Sequence, residues 1–74
     1  MNLRELEIKL IEEGYNRDIY ECYLEYPNEA YTIHKGKRKW EVYYSERGSK
    51  SNLKTFLSEK EACEYFYQQI KKMK

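Results

Sequence analysis

Residues 40–48 read WEVYYSERG, and this stretch decides how the chain folds. Successive side chains of an extended strand point to opposite faces of a sheet. The tryptophan, the valine and the second tyrosine therefore share one face, and Glu41 and Tyr43 share the other. We predict that the tryptophan face joins the core. The face with Glu41 suits either an ordinary half-buried sheet or a surface that meets another protein.

A basic turn and another alternating strand precede this stretch. Residues 30–35 alternate between apolar and polar side chains, and residues 35–39 read KGKRK. A short loop that contains glycine between two alternating runs predicts a β-hairpin. A further strand is predicted at residues 20–25, because alternating apolar side chains there stop at Pro27.

After the central strand, residues 45–52 form a polar connection. The following residues, 53–57, are predicted to form an edge strand. Leu53 and Phe56 are three positions apart, which breaks strict alternation. Either a β-bulge or burial of both faces near the next helix would account for this spacing.

Two amphipathic helices enclose the strands in sequence. Asn2 is a suitable N-cap for a helix over residues 3–13, and Gly14 stands where a left-handed C-cap is expected. Ser58 and Glu61 have the spacing of a capping box at the start of the second helix. The apolar stripes are Leu3, Leu6, Leu10 and Ile11 in the first helix, and Ala62, Cys63, Phe66, Tyr67 and Ile70 in the second.

These elements predict an α+β fold with two layers. It consists of an N-terminal helix, a three- to four-stranded antiparallel sheet and a C-terminal helix packed on one sheet face. The chain of 74 residues is long enough for a single domain, residues 1–74, with a thin core.

Composition narrows the class of protein. The chain has 14 Lys and Arg against 13 Asp and Glu, so no global field steers a partner, and its nine tyrosines are side chains that favour both strands and interfaces. No signal peptide or membrane-spanning segment is expected. Cys22 and Cys63 are expected to be reduced thiols, which favours a cytoplasmic protein.

No catalytic or cofactor chemistry is expected. His34, the single histidine, has no evident partner in the sequence and is expected to be solvated, while Cys63 lies on the apolar stripe of the second helix. Phosphate-binding loops, metal-ligand spacings and nucleophile elbows are not found. We therefore expect no enzyme activity, no cofactor, no metal and no small-molecule ligand.

The basic turn offers an alternative function in nucleic-acid binding. Lys37, Arg38 and Lys39 could contact phosphates, and the neighbouring Trp40 could stack on a base. A lysine-rich turn is also a common way to keep a hairpin soluble, and the nearly neutral net charge argues against a dedicated nucleic-acid binder.

The central strand, the segment LKTF at residues 53–56 and the capped segment SEKEACEYF at residues 58–66 together resemble small bacterial immunity proteins of polymorphic toxin systems, closest to the immunity protein 59 family. The resemblance covers about residues 15–70. It implies a cytoplasmic antidote that binds the toxic C-terminal domain of a cognate effector, in many cases a nuclease, and blocks it without performing chemistry.

For such a partner we expect contacts from the polar sheet face and its adjoining loop. Glu41 and Tyr43 would be central and Glu46 and Arg47 peripheral, since aromatic side chains and arginine dominate many interfaces. Arg47 could alternatively pair with a nearby glutamate to close the strand end. A nuclease would require local acidic surface, and the candidates are Glu12, Glu13, Glu21, Glu25, Glu41 and Glu46.

Overall fold

Two helices and four strands make up the fold in the computed structural model, which describes residues 1–22, 29–47 and 49–73. The elements are α1 (Leu3–Glu12), a 3-10 turn (Arg17–Ile19), β1 (Tyr20–Glu21), β2 (Ala30–Lys35), β3 (Trp40–Glu46), β4 (Ser49–Phe56) and α2 (Glu59–Met73). The predicted α+β class and element order are confirmed. No described helix has the length and apolar character needed to cross a membrane.

The four strands form one mixed sheet in the order β1-β2-β3-β4. The β2–β3 and β3–β4 pairs are antiparallel, but β1 runs parallel to β2, with Tyr20 opposite Tyr31. A purely antiparallel sheet was therefore the wrong expectation, because alternation indicates a strand but not its direction. Of the strand predicted at residues 20–25, the structure has Tyr20–Glu21 as β1, and residues 23–28 lie outside the described part of the chain.

The β2–β3 hairpin forms as predicted around the basic turn. Ile33 lies opposite Val42, and both side chains are fully buried beneath the helices. His34 lies opposite Glu41 on the other face, because neighbouring residues of a strand point to opposite sides.

The edge strand β4 is longer than predicted and contains a bulge. Val42 pairs with Lys54 and Tyr44 pairs with Ser51, so two residues of β4 lie opposite Tyr43. One of these two, Asn52, has a left-handed backbone with φ of 54°. The bulge explains the broken alternation of the sequence. The strand begins at Ser49 although its sequence is polar, since an edge strand needs few apolar side chains.

The helix α2 packs on β2, β3 and β4, α1 packs on α2, and both helices contribute to one core on one side of the sheet. The predicted stripes are largely buried, with the exception of Ile11, which is 48% exposed. Val42 is fully buried on this face, with Trp40 and Tyr44 packed against the core. The fully buried helix side chains are Leu6, Leu10, Ala62, Cys63, Phe66 and Ile70.

Local hydrogen bonds end the helices where the sequence predicts. Asn2 and Glu5 form a capping box at the start of α1, and Gly14, with φ of 81°, ends it. The Gly14 N–H donates to the Ile11 carbonyl and the Tyr15 N–H donates to the Leu10 carbonyl, which is the Schellman pattern. At α2, the Glu61 N–H donates to Ser58 Oγ.

Two polar contacts hold α1 against α2. The Leu3 N–H donates to Glu59 Oε2 at 2.7 Å, and the Tyr67 hydroxyl donates to Glu13 at 2.7 and 2.8 Å from its two carboxylate oxygens. The hydrogen bond from Tyr67 lowers the pKa of Glu13 and raises the pKa of Tyr67 to about 12. Lys9 Nζ lies 3.3 Å from the Glu13 carboxylate and extends this contact along α1.

Candidate binding surface

A polar cluster lies on the sheet face opposite the helices, with Glu41 at its centre. Glu41 Oε1 lies 2.9 Å from His34 Nε2 and 2.9 Å from Lys50 Nζ. The side chains of His34, Glu41 and Lys50 are 13%, 23% and 20% exposed. The three side chains converge because β3 lies between β2 and β4, so strand pairing supplies one partner from each neighbour.

Within this cluster, the Glu41 carboxylate forms hydrogen bonds with His34 and Lys50 of the same chain. Hydrogen bonds from Lys50 and then from His34 outweigh the opposing effect of partial burial and lower the pKa of Glu41. The expectation that His34 is solvated and lacks a partner is therefore wrong. The hairpin register, which places His34 opposite Glu41, was the signal that could have indicated the pair. Lys50 could not be found in this way, because its position depends on the β4 bulge.

Tyr43 is fully buried, which contradicts its expected role as the central exposed contact. The Lys50 ammonium lies over the Tyr43 ring, 5.0 Å from the ring centroid. The His34 ring makes an edge contact with Tyr43, and the two ring centroids are 6.1 Å apart. Thr32 and Ser45 on the same face are fully buried too. The middle of this face is therefore interior, and Tyr43 contributes to stability.

Glu46 and Arg47 are exposed at the β3–β4 turn, at the end of the sheet away from the basic turn. Neither side chain forms an ion pair with any residue in the described part of the chain. Arg47 has a left-handed backbone with φ of 49°, which places it at the turn itself. The ion pair that would close the strand end is thus not formed with a described glutamate.

The remaining predicted acidic residues do not gather into one patch. Glu21 is half-buried on β1 opposite Thr32, and Glu13 is engaged by Tyr67. Glu12 is exposed on α1, on the other layer of the fold. Glu25 lies outside the described residues. The structure therefore brings Glu41 close to Tyr43 and leaves Glu46 and Arg47 at a separate end.

The β2–β3 turn gathers exposed positive charge at the opposite end of the sheet. Lys35, Lys37, Arg38 and Lys39 are all exposed, and none forms an ion pair within the described ranges. The Gly36 N–H donates to the Lys39 carbonyl at 2.8 Å and closes the turn. A Cβ atom on residue 36 would lie 3.1 Å from that carbonyl oxygen, so glycine suits this close approach.

Open clefts lie beside this turn. One, of about 440 Å³, is lined by Lys37, Arg38 and Lys39 together with Glu41 and Thr55. Both hydrogen bonds to Glu41 use Oε1, and the charge of this carboxylate is offset by the Lys50 ammonium. The turn is therefore a cationic surface with room for an anionic group.

The two thiols belong to the core. Cys22 and Cys63 are buried and unpaired, and burial raises the pKa of Cys22 to about 12 and that of Cys63 to about 11. Such thiols are poor nucleophiles, since the thiolate is the reactive form. Within the described residues, no three His, Cys, Asp or Glu side chains are placed to hold a metal ion.

Comparison of the chain with known protein families, with characterised proteins and with solved structures finds no match.

Proposed function

We propose that this protein is an immunity protein that binds and neutralises the toxic domain of a cognate bacterial effector, acting in the cytoplasm. The observation that carries the proposal is the arrangement of the residues that resemble such proteins. The strands β3 and β4 are paired, and α2 follows β4 directly. At the β3–β4 turn, Glu46 and Arg47 are exposed and have no ion pair with a described residue.

The geometry favours binding through exposed side chains at the ends of the sheet. The middle of the helix-free face is filled by Tyr43 and by the Glu41 cluster, whose charges are paired within the protein. Glu46 and Arg47 remain available to a partner, and arginine is well suited to a carboxylate on another protein.

Co-expression tests this function. The gene immediately upstream would supply the effector, and its C-terminal domain should arrest growth when it is produced alone. Growth should recover when this protein is produced with it, and the two should co-purify. Absence of both rescue and complex would contradict the proposal.

Charge reversal at the turn tests which residues take part. Glu46→Lys with Arg47→Glu keeps the net charge and should weaken the complex, because rim charges control association. The matched control is Arg17→Glu with Asp18→Lys, an adjacent exposed pair in the 3-10 turn, which should leave the complex unchanged.

Nucleic-acid binding through the basic turn is a second candidate. It is favoured by the four exposed cations at residues 35–39, which lack ion pairs with described residues. This function predicts binding to single-stranded DNA that weakens steeply as salt is raised, and that is lost when Lys37, Arg38 and Lys39 are neutralised.

A further inference from the structure

An exposed leucine stands at the same end of the sheet as the basic turn. Leu57 is 82% exposed, while the other exposed large apolar side chains in the described residues are 44–48% exposed. It follows Phe56, which pairs with Trp40, the first residue after the turn. Leu57 therefore leaves the sheet where the β2–β3 turn enters it.

Single exposed leucines are common on protein surfaces and need no explanation by themselves. Here the leucine is accompanied by four exposed cations that have no ion-pair partner among the described residues, and by the cleft that Lys37, Arg38 and Lys39 line. Protein interfaces commonly combine an apolar centre with a polar rim, and an apolar side chain beside a charged turn offers both parts.

We propose that this end of the sheet, defined by residues 35–39 and Leu57, docks an acidic segment of a protein partner that also presents an apolar side chain. The inference rests on the proposed function as a protein-binding molecule and names the chemistry of the bound surface. The partner's carboxylates pair with Lys37, Arg38 and Lys39, and its apolar side chain covers Leu57.

The same charges could bind the phosphates of a nucleic acid, but two observations favour a protein. Phosphate and sugar offer little to an aliphatic side chain such as Leu57, whereas a protein surface can bury it. Trp40, the aromatic residue that follows the turn directly, is partly buried against the core, which leaves less of its ring to stack on a base.

Titration of the isotopically labelled protein with defined probes tests the proposal by NMR. The first probe is a short synthetic peptide of aspartate and glutamate with a central phenylalanine, and the second has serine in place of the phenylalanine. The third is oligothymidylate of similar length. We expect the first peptide to shift the amide signals of residues 35–39 and 56–58, and to bind more tightly than the other two probes.

Two variants with matched controls localise the binding. Leu57→Ser should weaken binding of the phenylalanine peptide about fivefold through lost apolar contact, while Ile8→Ser, at an exposed position on α1, should have no effect. Lys37→Ser with Lys39→Ser should weaken it about tenfold at low salt and flatten its salt dependence. Arg4→Ser with Lys72→Ser removes the same charge from the helices and should change it little.

In the peptide titration, three results would overturn this inference: no detectable peptide binding, tighter binding of oligothymidylate than of the phenylalanine peptide, or unchanged binding by Leu57→Ser. Its failure is separable from failure of the proposed function. If the upstream effector domain forms a complex that withstands Leu57→Ser and the double lysine variant equally well, the function stands and the docking surface is wrong. If no complex forms, the function fails while the peptide titration still decides the chemistry of this surface.

Discussion

At the scale of single residues, Glu41 holds the polar cluster together because one of its oxygens contacts both His34 and Lys50. Glu41→Gln keeps the size of the side chain but removes its charge. We expect the free energy of unfolding to fall by about 1 kcal/mol, since the Lys50 ammonium loses its counter-charge at a partly buried site. Urea unfolding at neutral pH measures this loss.

Glu46→Gln is the matched control for that change. Glu46 is exposed at the end of the same strand and has no ion pair with a described residue. The free energy of unfolding of the Glu46→Gln variant should stay within about 0.5 kcal/mol of the parent value. Equal losses from the two variants would show that the cluster contributes nothing.

The cluster also predicts how stability depends on pH. A carboxyl whose pKa is lower in the folded state stabilises the fold above its unfolded pKa, and this contribution disappears as the pH falls through the folded pKa. The pKa of Glu41 is lowered, first by the hydrogen bond from Lys50. The stability difference between the parent and Glu41→Gln should therefore shrink toward acid pH, as urea unfolding at a series of pH values would show. A difference that grows toward acid pH would contradict the assignment.

Tyr43 illustrates a residue whose role strand alternation alone predicts wrongly. Alternation placed it correctly on the face opposite Val42, but it could not indicate that this face is also covered at its centre. We expect Tyr43→Ala to destabilise the fold by about 3 kcal/mol or more, the usual cost of removing a buried aromatic ring. Thermal unfolding measures this loss. A midpoint temperature close to that of the parent would show that the Tyr43 ring is not part of the interior.

At the scale of elements, the β4 bulge sets the register that brings Lys50 beside Glu41. It depends on Asn52, whose left-handed backbone is tolerated by asparagine and glycine but costs a β-branched residue about 1–2 kcal/mol. Asn52→Val should destabilise the protein by about that amount in urea unfolding, whereas Asn52→Gly should not.

Thr55→Val controls for the apolar substitution itself. Thr55 is an exposed residue of the same strand, and valine favours strands. The stability of the Thr55→Val variant should therefore be close to that of the parent. If Asn52→Val is tolerated as well as Thr55→Val, the strained turn at residue 52 is not required.

The elements that local rules describe were predictable from sequence. The helices, the hairpin and the ends at Asn2, Gly14 and Ser58 follow from periodicity and from hydrogen bonds between residues only a few positions apart. The parallel direction of β1 and the early start of β4 are set by pairing with distant residues, so local patterns do not contain them.

The same distinction applies to the candidate surfaces. The basic turn was predictable because its four cations lie within five residues. The position of Leu57 beside that turn follows only from the pairing of Phe56 with Trp40. Predicting a surface that is assembled from several strands thus requires knowledge of the strand register, whereas predicting a surface within one loop does not.

At the scale of the whole molecule, both thiols lie in the one core that the helices and sheet enclose, at Cys22 after β1 and Cys63 in α2. Their reaction with a thiol reagent needs both exposure and ionisation, and burial opposes each. We expect the native protein to react at least about 100-fold more slowly than a short cysteine peptide at the same pH, because opening of the core limits the rate.

The rate should rise with denaturant up to the value of the unfolded chain, whose reaction is the control. Rapid reaction of either thiol without denaturant would mean that this part of the core opens by itself, and Cys22→Ala and Cys63→Ala, compared under native conditions, would identify which side of the core is less stable.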